Sequence, residues 1–91
     1  MLSVYKYQVP IRDYFNLTLP LNAEVLHVDI QYNEMQLWAL VDPNTGPGEI
    51  RRFRLVGTGH EITEKQKNLK YINTFFMYEG ALVWHVFEII D

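Results

Sequence analysis

The chain has 91 residues, of which 48% are hydrophobic and 21% charged, with a formal net charge of −3. That balance describes an ordinary globular domain and excludes wholesale disorder, a collagen-like repeat and a low-complexity tract. Eight Lys and Arg against 11 Asp and Glu argue against a duplex nucleic-acid binder held by counterion release, and the absence of Cys excludes disulfides, thiolate metal ligands and a Cys nucleophile.

The length predicts a single domain over 1–91 that buries roughly 60–65% of its unfolded surface, enough to fold but with little spare stability, so self-association is expected. A small secreted domain would usually need disulfide staples, which favours a cytoplasmic home. Residues 1–10 lack a basic segment followed by an unbroken apolar run and do not read as a signal peptide. No stretch approaches the ~20 apolar residues of a membrane-spanning helix, so no membrane partner is expected. The outlier is the aromatic fraction, 14%, from six Tyr, five Phe and two Trp. Such residues favour strands and supply large buried areas to small cores.

A hydrophobic period of two dominates the chain and predicts strands. Tyr5, Tyr7, Val9 and Ile11 alternate with polar neighbours, as do Phe15, Leu17 and Leu19. Pro10 and Pro20 cannot donate to a ladder, so these two strands belong at sheet edges, with a turn at Arg12-Asp13. Residues 24–41 read as a hairpin: Leu26, Val28, Ile30 and Tyr32 share one face, Asn33-Glu34 reverses the chain, and Met35, Leu37, Ala39 and Val41 return. Trp38 and Leu40 make the return strand apolar on its second side too, which marks it as central. Residues 42–48 (DPNTGPG) form a loop, the next strand carries Phe53 and Leu55 against Arg52 and Arg54, and it stops at Gly57-Thr58-Gly59-His60. Thr63-Glu64-Lys65-Gln66 fits a capping box and predicts a helix of one or two turns. Residues 71–90 form a second hairpin about Glu79-Gly80, apolar on both faces and expected at the heart of the sheet system. The whole reads as all-β or β-rich α+β, a small sandwich or partly open barrel of six or seven mostly antiparallel strands with one short helix.

Charge is unevenly spread. Residues 51–70 hold Arg51, Arg52, Arg54, Lys65, Lys67 and Lys70 against Glu61 and Glu64, a balance of +4, leaving −7 for the remainder. Glycines let backbone amides approach an anion, so Arg52, Arg54, Thr58, His60 and Lys65 are candidates to bind a nucleotide-like small ligand. The simpler alternative makes the glycines a turn and the basic side chains a solvated surface, since two glycines one residue apart match neither a P-loop nor a dinucleotide fingerprint. His27, His60 and His85 lack the close spacing of a metal motif, so no metal and no cofactor is expected. His85, within Val83-Trp84-His85-Val86-Phe87, reads as a core or half-buried histidine bonded to backbone or a nearby carboxylate. Ser3 is the lone serine and sits in no nucleophile elbow. No catalytic residue is therefore assigned and the protein is read as a non-enzyme. Rings beyond the needs of one small core make Tyr5, Tyr7, Tyr14 and Tyr78 candidates for an interface with a protein partner or a second copy.

Trp38-Ala-Leu-Val-Asp-Pro43, Arg52-Phe-Arg-Leu-Val-Gly-Thr-Gly-His60, Tyr71-Ile-Asn-Thr-Phe75 and Gly80-Ala-Leu-Val-Trp-His-Val-Phe-Glu88 span most of the chain. In these stretches the sequence resembles a family of short uncharacterised proteins encoded mostly by phages and prophages. The resemblance implies an accessory phage product acting in the cytoplasm of a bacterial host. Binding to a host protein, in an inhibitory or counter-defence role, is the function it implies. Capture of a nucleotide-like anion by residues 51–70 is the alternative.

Overall fold

The computed structural model describes residues 1–90. Alternation of buried and exposed side chains, interrupted by turn residues, produces seven strands: β1 (Ser3–Gln8), β2 (Tyr14–Leu19), β3 (Glu24–Gln31), β4 (Glu34–Val41), β5 (Glu49–Gly57), β6 (Leu69–Met77) and β7 (Leu82–Ile89). They form two wholly antiparallel sheets, one ordered β1-β4-β3 and the other β2-β5-β7-β6. The all-β sandwich reading holds, and neither sheet closes into a barrel. The proline-flanked β1 and β2 each lie at a sheet edge and β4 is central, as their sequences predict.

The inward faces meet in a core built on Phe15, Leu19, Val28, Met35, Leu37, Val41, Phe53, Leu55, Phe75 and Val86. Phe15 and Phe53, paired across β2 and β5, stack with ring centroids 5.1 Å apart. Each such buried side chain contributes about 2 kcal/mol of transfer free energy. Two groups join the sheets at their margins. Asn73 on β6 accepts from the Val28 amide (2.8 Å) and donates to the Val28 carbonyl (2.7 Å), standing in for a backbone ladder between β6 and β3. Arg51 on β5 forms a two-pronged pair with Glu88 on β7, one contact being Nη2 to Oε1 at 2.8 Å, and Nη1 reaches the Ala23 carbonyl at 2.7 Å.

Several local readings shift. The first hairpin reverses at Tyr32-Asn33, both at positive φ (54° and 64°), rather than at Asn33-Glu34, which leaves Tyr32 85% exposed and off the core. A bulge between Val25 and His27 turns Leu26 outward, and Val25 takes the inward place opposite Ala39. The second hairpin turns through Tyr78, Glu79 and Gly80, all at positive φ. Its β7 is central, but β6 is a sheet edge, so only half of that hairpin lies at the heart of its sheet.

The one short helix is a single 3-10 turn, Gln66–Asn68, with Lys65 at its start and no side chain capping it. The Thr63–Gln66 box does not form. Glu64, which would occupy the first helical turn, is instead held by Tyr14 (2.5 Å) and Arg54 (3.3 Å) on the sheet beneath, and these contacts keep the segment open. No helix among the described residues is long and apolar enough to cross a membrane.

Candidate functional site

Strand parity sorts β5 into two chemistries. Phe53 and Leu55 face the core, while Arg52, Arg54 and Val56 face outward with the register partners of β7, β6 and β2. On this outer face Tyr14, Arg54, Phe87 and Tyr71 form one row across all four strands, and Val56, His85 and Thr74 form the next. Because β7 lies between β5 and β6, the connection over residues 58–68 must cross that face. It does so as a strap.

Arg54 fastens it. Its Nη2 donates to the Glu61 carbonyl (3.2 Å), Nε to Glu64 Oε1 (3.3 Å) and Nη1 to the Leu55 carbonyl (2.7 Å), and the guanidinium lies 4.7 Å from the Tyr14 ring centroid. The residue is thereby buried to 7% exposure. The hydroxyl of Tyr14 donating to Glu64, assisted by Arg54, holds the Glu64 carboxyl below the usual carboxylate range.

On either side of Ile62 the strap leaves a cavity. One, of about 260 Å³, is bounded by Val56, the 57–60 turn, His85 and Phe87; the other, of about 380 Å³, by Glu64, Gln66, Leu69, Tyr71 and Phe87. Ile62 and Phe87 line both. The first depends on glycine: a Cβ at Gly57 would come within 3.0 Å of the His60 ring, and Gly59 sits at φ +84°. A third hollow, about 340 Å³ beside Pro10, Arg12 and Asn16, holds no converging imidazole or carboxylate.

The two cavities are connected by a hydrogen-bonded series. Thr58 Oγ1 lies 2.7 Å from His85 Nε2, His85 Nδ1 lies 2.8 Å from Thr74 Oγ1, and Thr74 Oγ1 lies 2.7 Å from the Tyr71 hydroxyl. Tyr71 and Thr74, three residues apart on a strand, would ordinarily face opposite sides. A bulge between Tyr71 and Asn73 restores them to one face, opposite Phe87 and His85. The same irregularity turns Asn73 to its bonds with Val28, so one local distortion closes the sandwich edge and completes the series.

Of the ligand candidates read from sequence, Thr58 and His60 meet at the first cavity. Arg54 does not join them as an anion ligand, because its guanidinium is spent on the strap. Arg52 is exposed on the outer face opposite Asn16 and Ile89, roughly 20 Å along the strand from Thr58, and Lys65 is exposed where the 3-10 turn begins. The interface candidates likewise disperse. Tyr5 and Tyr7 pair with the inward-facing Ala39 and Leu37, and burial followed by the neighbouring Tyr5 raises the Tyr7 hydroxyl pKa. Tyr14 is bonded to Glu64, and Tyr78 lies in the β6–β7 turn. His85 has hydroxyl partners rather than backbone or carboxylate ones. Thr74, Tyr71, Phe87 and Ile62 also belong to the candidate site, and the period-two pattern does not distinguish them from ordinary strand or loop positions. Among the described residues no three His, Cys, Asp or Glu side chains gather where a metal could sit.

No curated protein and no solved structure matches the chain. A family model does, described as a domain of unknown function (DUF7352), over residues 1–91. The chain belongs to that family across its whole length.

Proposed function

We propose that the protein is a small-ligand binding module whose site is the groove beneath the strap, and that its occupant is a flat, largely uncharged ring compound of nucleoside class. The carrying observation is the pair of cavities that share Phe87 and Ile62, with a hydroxyl–imidazole series along their polar side. Apolar surface with a few convergent polar groups is the usual chemistry of a small-molecule site. The engagement of Arg54 by Glu64 argues against a phosphate clamp, so nucleotides should gain little over nucleosides. Thermal denaturation of the purified protein with nucleosides, their 5′-phosphates and cyclic nucleotides tests this. A ligand of the native state raises the melting point as its concentration passes Kd, and a flat response across the panel at millimolar concentration overturns the proposal.

A second reading gives the same face to a host protein. It is favoured by Tyr71 and Phe76, 56% and 62% exposed on the outer face of β6, an aromatic surface for a partner to cover. The resemblance to phage and prophage products supports this reading, with action in a bacterial cytoplasm and self-association accompanying it. Under it, Phe76→Asp abolishes partner capture while leaving nucleoside-dependent stabilisation intact; retained capture removes the reading.

A further inference from the structure

The series that links the two cavities has a direction, and that direction specifies the ligand. A neutral imidazole carries one N–H and one bare nitrogen and Thr74 has a single hydroxyl proton, so when Thr74 spends that proton within the series, Tyr71, Thr74, His85 and Thr58 can be hydrogen-bonded in two senses. In one, Tyr71 donates to Thr74, Thr74 donates to His85 Nδ1, His85 Nε2–H donates to Thr58, and the Thr58 hydroxyl proton points onward into the cavity. In the other every donor is reversed and the spare proton leaves from Tyr71. A phenol is a better donor and a poorer acceptor than an aliphatic hydroxyl, which places Tyr71 at the donating head. Thr58 is then no nucleophile, because the nitrogen it faces already bears a proton.

We propose that Thr58 Oγ1 is a fixed donor aimed into the cavity between the 57–60 turn and Phe87, and that the ligand answers it with a carbonyl oxygen on the edge of a flat ring, as in an oxo-purine or oxo-pyrimidine base. The ring packs against Phe87 and Ile62, which line this cavity. The inference rests on the ligand-binding reading above and adds the class of polar group recognised. An amine at the same ring position can meet only the lone pair that Thr58 has left after accepting from His85, and is expected to bind more weakly.

The test has two arms that fail separately. Long-range proton–nitrogen NMR of the free protein reads the His85 tautomer without any ligand: protonated Nε2 and bare Nδ1 are expected, and protonated Nδ1 overturns the direction of the series. Binding is then measured by calorimetry for inosine, adenosine and purine riboside, which carry an oxygen, an amine and neither at one ring position. Inosine is expected to bind about tenfold more tightly than the other two, a preference lost in Thr58→Val and kept in Thr58→Ser. Equal binding of all three overturns the carbonyl assignment while leaving the ligand site in place. Binding of none, with the expected tautomer, overturns the ligand reading itself and the carbonyl assignment with it.

Discussion

Arg51 and Arg54 lie three residues apart on β5, each paired with a glutamate, and the two pairs do different things. Arg51 faces inward, where Glu88 holds it by two contacts and the Ala23 carbonyl adds a third from the approach to the other sheet. The hydrogen bonds to Glu88, reinforced by its charge, raise the Arg51 pKa despite burial. Arg54 faces outward and holds Glu64, Glu61 and the ring of Tyr14, all belonging to the strap or to the edge strand under it. The inner pair joins strands and sheets. The outer pair fastens a cover over a groove. A basic cluster in a sequence is therefore not yet a basic surface: odd and even positions on one strand meet different partners, and both of these charges are compensated within the molecule.

Mutations that separate the pairs should separate global from local stability. The largest effect is expected from Glu88→Ala, which leaves the Arg51 guanidinium without its buried counter-charge; a loss of about 3 kcal/mol is expected in a urea unfolding curve. An unchanged midpoint would reduce the inner pair to the standing of a surface contact. Glu64→Ala should change global stability by less than about 1 kcal/mol yet speed amide exchange through residues 58–68, because only the strap is released.

The outer pair also carries an acid signature. The Glu64 pKa is lower in the folded protein than in the unfolded chain, so the stability it confers is full above the usual carboxylate range and is lost as pH falls through its depressed folded value. Glu64→Ala should flatten that part of the stability–pH profile, whereas equal acid sensitivity in both proteins would assign it elsewhere. The smallest change is Tyr14→Phe, worth about 0.5 kcal/mol, since the lost bond is exposed. Its sharper readout is a rise of the Glu64 titration midpoint, because the Tyr14 hydroxyl is the main cause of the depression.

The strand pattern was legible because it is local. Alternation in Phe15-Asn16-Leu17-Thr18-Leu19 sets which side chains are buried, and Pro10 and Pro20 mark edges wherever the strands end up. Glycine punctuation at a strand end is visible in sequence and singles out Thr58 and His60, which line one cavity. The engagement of Arg54 by the strap is not legible, because nothing near it in the chain reveals that Glu64 crosses back over the sheet. The capping box at Thr63 failed for the same reason: a helix signal confined to a few residues lost to tertiary contacts made by one of them. The setting of His85 within an apolar run reads as core or half-buried, but its partners come from the turn after β5 (Thr58) and from β6 (Thr74), which the sequence around it does not reveal.

What the sequence by itself determined is a cysteine-free, strand-rich domain, its hairpins, the two proline-flanked edge strands and the segregation of charge into residues 51–70. Those properties follow from side-chain alternation and turn chemistry, which act over a few residues. The tertiary structure alone decided which groups the inward and outward arginines meet, where the strap lies, and that a bulge in β6 aligns Tyr71 with Thr74. The decisive contacts join residues 27 apart for Thr58 and His85, 37 for Arg51 and Glu88, and 45 for Asn73 and Val28. Pairings at that separation depend on sheet order and register, and a one-residue slip carries every side chain of a strand to the opposite face.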